Sequence, residues 1–109
     1  MADAASRAER AVSEQAAALH ADALVCDLTV NWEEDLEFEH RSAVLPRYPA
    51  SGVDFVSLTL VDDWTWIEAT LRHLAAQRGY FLGRSEDCVL VESAEDIVRA
   101  KSEGKLGIG

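Results

Sequence analysis

Basic residues are scarce in this chain. Ten Lys and Arg stand against twenty Asp and Glu, a net charge of −10. Nucleic-acid binding needs clustered cations to neutralise phosphates, so that class of function is excluded, and so is attachment to an anionic membrane surface. Long apolar runs are missing too: nothing approaches the ~20 residues that span a bilayer. The opening MADAASRAERAVSEQ has no apolar segment of the secretory kind, which predicts a cytoplasmic protein. Two cysteines, Cys26 and Cys88, are too few for a disulfide framework and lack CxxC spacing. They are expected to be reduced, small hydrophobes buried in or beside strands.

What is present is an ordinary globular composition: 109 residues, 49% apolar and 28% charged, enough for one small domain. Residues 1–22 read as a helix, with Ala5, Ala8, Val12, Ala16, Leu19 and Ala23 recurring at steps of three and four. So alanine-rich a face covers a larger body rather than building a core. Residues 23–30, ALVCDLTV, suit a buried strand. The segment Asn31 to His40 then carries five acids in ten residues. With Pro46, Pro49 and Gly52 behind it, the stretch 31–52 is expected to be one long loop facing a ligand or partner.

Residues 53–61, VDFVSLTLV, are apolar on both faces, as in a parallel strand covered on two sides. A helix follows, starting at Asp62, Asp63 or a Thr65/Glu68 capping box, with Trp64, Ile67, Leu71, Leu74 and Ala75 as its core stripe and Gly79 as its stop. After CVLVE, Ser93 is a candidate N-cap, Glu95 and Asp96 suit the positive helix end, and Gly104 fits the residue past the last turn. Residues 105–109 begin another strand. Two or three parallel strands with helical crossovers make an α/β chain, and so few strands leave edges open. The pattern resembles a piece of a larger α/β barrel.

Several stretches, in order, resemble the N-terminal part of the membrane dipeptidase (renal dipeptidase, peptidase M19) family. They are Asp27-Leu28-Thr29-Val30-Asn31, Leu45-Pro46-Arg47, Gly52-Val53-Asp54, and the run from Val91 through Asp96-Ile97, Arg99-Ala100 and Gly104-Lys105. The resemblance implies the first βα units of a metallo-dependent-hydrolase-type (β/α)8 TIM barrel, incomplete in this chain, with 1–22 as an N-terminal helix and 23–109 as barrel units. It implies zinc as the family's cofactor and a dipeptide-like substrate for a complete polypeptide. It also implies that Thr29 and Asn31 occupy positions where the family has a zinc-binding His and Asp. Neutral hydroxyl and amide oxygens are weak zinc donors, so no metal ligand or catalytic residue is expected within the chain, which should be inactive alone.

By the same resemblance Trp32 borders the substrate cleft, Trp66 lines it after the second strand, and Asp27 is a buried group behind the site. Elsewhere, His20 suits the end of the first helix, and His73, opposite Ile67, is expected to be solvated. His40 sits among Glu33, Glu34, Asp35, Glu37 and Glu39, a solvated acidic loop without EF-hand spacing. Two further readings stand beside the hydrolase. One is a non-catalytic relative whose barrel mouth binds a ligand or partner. The other is a small acidic protein that forms homo-oligomers to bury its open sheet edges.

Overall fold

The computed structural model describes residues 12–32 and 38–109. The element order is α1 (Glu14–Asp22), β1 (Cys26–Asn31), α2 (Phe38–Val44), α3 (Arg47–Ala50), β2 (Phe55–Thr59), α4 (Ile67–Leu82), β3 (Cys88–Leu90), α5 (Ala94–Ser102) and β4 (Leu106–Ile108). All strands run parallel in one sheet of order β1-β2-β4-β3. The chain is therefore mixed α/β, with a four-stranded parallel sheet. β2 is central because its residues are apolar on both sides, whereas β1, an edge strand, exposes every residue but Val30.

Each crossover joins parallel strands, and strand twist favours a right-handed path for such connections. From β2 the chain steps outward to β3; from β3 it steps back to β4. Those opposite senses put α4 and α5 on opposite faces of the sheet. Burial follows the same division. Val30, Val56, Cys88, Leu106 and Ile108 join Trp32, Leu45 and Phe81 in the main core. Phe55 and Val89 alternate with that set and are buried on the second face, and Ala100 is buried on α5. On this second face β4 and the residue after its end present only glycines, Gly107 and Gly109. A Cβ at Gly109 would come 2.6 Å from the Phe55 ring, and one at Gly107 would come 3.2 Å from it. The ring lies where β4 has no side chains.

The amino ends of the strands are tied together by one polar junction. Lys101 Nζ donates to Ala23 O at 3.0 Å and to both Asp54 carboxylate oxygens at 3.1 and 3.0 Å, and Asp54 Oδ2 also accepts from Val25 N at 2.8 Å. Nearby, His20 Nε2 meets Ser51 O at 2.9 Å and seats α1 on the turn before β2. Gly52 is needed in that turn: its φ is +85°, and a Cβ there would run into the His20 ring. α5 carries its sequence signals faithfully. Ser93 is the N-cap residue, Asp96 Oδ2 accepts from Ser93 N and Glu92 N, and Gly104 takes φ +67° just past the last turn.

Several expectations are corrected. The stretch 31–52 is not one loop: α2 and α3 lie in it, and Ser42 Oγ bonds Tyr80 OH at 3.1 Å to dock α2 on α4. Pro49 does not prevent α3, because it falls in the first turn, where its missing N–H has no helical partner to lose. α4 passes through Gly79 to end at Gly83, and its N-cap is Trp66, without the Thr65/Glu68 box. Its expected core stripe points outward: Trp64 is 81% exposed, Ile67 72%, Leu71 58% and Leu74 50%. His73, expected in solvent, is buried instead, as is Phe81. Cys88 is buried but Cys26 is exposed on the edge strand. No residue of α1 is buried. The residues 1–11 and the acidic run 33–37 lie outside the described residues.

Candidate functional site

In parallel sheets, ligand sites form beyond the carboxyl ends of the strands, where backbone and loops converge. Here that edge gathers Asn31, Thr59, Leu90 and Ile108, the last residues of β1, β2, β3 and β4, with Trp32, Leu60, Val91 and Gly109 directly after them. Asn31 pairs in register with Thr59. Both are exposed and lie on the side of the sheet opposite Val30 and Leu58.

β1 reaches this edge through an irregularity. Cys26 and Asp27 pair with Phe55 and Val56, but Val30 pairs with Leu58, so β1 carries one residue more than β2 over the same span. The bulge takes the Thr29 amide out of the ladder, and Asp27 Oδ1 accepts from it at 3.1 Å. Asp27 is therefore exposed and occupied with its own strand, rather than buried behind a site. Thr29 and Asn31 are exposed as well.

Trp32 is 2% exposed. Its amide donates to Thr59 O at 3.0 Å, and its indole Nε1 donates to Gln77 Oε1 at 2.8 Å. The indole sits against Tyr80 and Phe81, with ring centroids 6.4 and 5.6 Å away, and the Arg41 guanidinium lies 6.0 Å from its centre. A large aromatic residue with one polar atom is thus fully enclosed because a glutamine 45 residues along the chain takes its hydrogen bond. Trp66 stands at the other extreme, 84% exposed at the start of α4. The structure does not bring the two tryptophans into ring contact.

Gln77, Tyr80 and Phe81 organise this edge, and sequence reasoning missed them. Their signal was present as amphipathic residues at helical spacing with His73, but the more apolar stripe beside them masked it. A cavity of about 170 Å³ opens between α4 and the strand ends, walled by Leu58, Leu60, Phe81, Leu90 and Ile108. Arg78 on its rim pairs with Glu92 at 3.3 Å. A second hollow of about 180 Å³ lies against Trp32, Arg41, Gln77 and Tyr80.

The donor chemistry of β1 does not fit a zinc pair. Thr29 and Asn31 offer neutral oxygens, the Asp27 carboxylate is turned onto a backbone amide, and among the described residues no three His, Cys, Asp or Glu gather. Among the described residues no helix is long and apolar enough to cross a membrane.

No protein-family model matches this chain, and no curated protein matches it. Among solved structures it is similar to an amidohydrolase from Pseudomonas aeruginosa, at 28% identity and a TM-score of 0.67. The match covers 84% of this chain and 26% of that one, so the chain spans about a quarter of the length of that protein.

Proposed function

We propose that this chain forms the opening βα units of an amidohydrolase-type (β/α)8 hydrolase related to the membrane dipeptidases. In this reading the complete polypeptide acts on dipeptides or other small amides at the carboxyl ends of its strands. The likeness to the Pseudomonas aeruginosa amidohydrolase carries the proposal, since it extends over 84% of the chain. The order of β1, β2 and β4 supports it: all three are parallel, adjacent and in chain order, as successive staves of a barrel are. β3 stands outside that series, on the far edge of β4, and in this reading is an added strand rather than a stave.

Trp66, exposed beyond β2, is the substrate-facing residue, and Trp32 shapes the wall behind it from within the core. Asp27 fixes the bulge that sets where Thr29 and Asn31 stand. In this reading β1 does not supply zinc donors, and any metal chemistry of the whole protein belongs to other residues. The same observation favours a second reading: a dipeptidase-like protein whose barrel mouth binds a small ligand or partner without cleaving it.

The test is to isolate the polypeptide from its native host and measure its intact mass, zinc content and hydrolysis of a dipeptide panel. A chain of at least ~250 residues, as a whole barrel requires, that hydrolyses dipeptides supports the hydrolase. The same size without hydrolysis or zinc supports the binding protein. A product of 12.0 kDa overturns both.

A further inference from the structure

No further inference is drawn: the strongest candidate, the exposed apolar patch of Trp64, Ile67, Leu71 and Leu74 on and just ahead of α4, is an unpartnered surface, and nothing in the structure shows what covers it.

Discussion

Replacing Lys101 by methionine keeps most of the side-chain volume and removes the ammonium that holds three segments together. That ammonium, on α5, reaches Ala23 O ahead of β1 and both oxygens of Asp54 at the start of β2. The side chains are 30% and 13% exposed, so the pair lies between two limits. Exposed ion pairs are worth ~0–1 kcal/mol, whereas removing one partner of a buried pair costs ~3–5 kcal/mol. Asp54 keeps one hydrogen bond, from Val25 N, and retains some contact with water, which softens the loss.

We therefore expect Lys101→Met to cost ~2 kcal/mol. In a domain near this size that lowers the melting temperature by roughly 8 °C and the urea midpoint by about 1 M. Equilibrium urea unfolding of the single variants and the double variant with Asp54→Asn separates the pair from its surroundings. The coupling energy should be at least ~1 kcal/mol, because each single change strands the other partner. A loss under ~0.5 kcal/mol for Lys101→Met, or two single losses that simply add, refutes this account of the junction.

Gly52→Ala should cost ~1–3 kcal/mol, from a positive φ and from the collision with the His20 ring; adding His20→Ala should recover only the collision part, and full recovery in a thermal melt would show that the backbone is unstrained. A disulfide-exchange reagent should label Cys26 at once and Cys88 only after denaturant, since burial pushes the Cys88 thiol up despite Arg84 beside it. Two equal rates would contradict that packing. The Asp96 carboxyl is lowered to about 2, first by the Arg99 guanidinium and then by the Glu92 amide. Its folded value lies below its unfolded one, so its contribution is complete above the ordinary carboxylate range near ~4 and is lost as pH falls through about 2. Between those limits Asp96→Asn should flatten the fall in melting temperature with acid, and slopes identical to the parent would show that the cap does not work this way.

Local signals in the chain were readable where the structure answers to local physics. The Ser93 start, the Asp96 cap and the Gly104 stop of α5 each depend on residues within a few positions of one another. α4 shows the limit. Its strongest periodic stripe, from Ile67 to Leu74, marks the face left in solvent, and the packed face is written in His73, Gln77, Tyr80 and Phe81, whose polar atoms hide their burial from a hydropathy reading. Trp32 is enclosed because Gln77 takes its N–H, a pairing across 45 residues that no window contains. The strand order was equally out of reach, since nothing local tells β3 to lie outside β4. Along β1, Asp27, Thr29 and Asn31 could be named in advance, but the bulge that directs them arises from pairing with β2.

Phe55 fills one shared volume with Gly107 of β4 and Gly109 just past its end. Enlarging position 109 drives a methyl group into the ring at 2.6 Å, and trimming the ring bares the β4 backbone to a void. Either change alone is penalised, so the positions form an exchange pair. Lineages descended from this chain that acquire a side chain at 107 or 109 should carry a smaller residue at 55, and the two substitutions should arrive together or not at all.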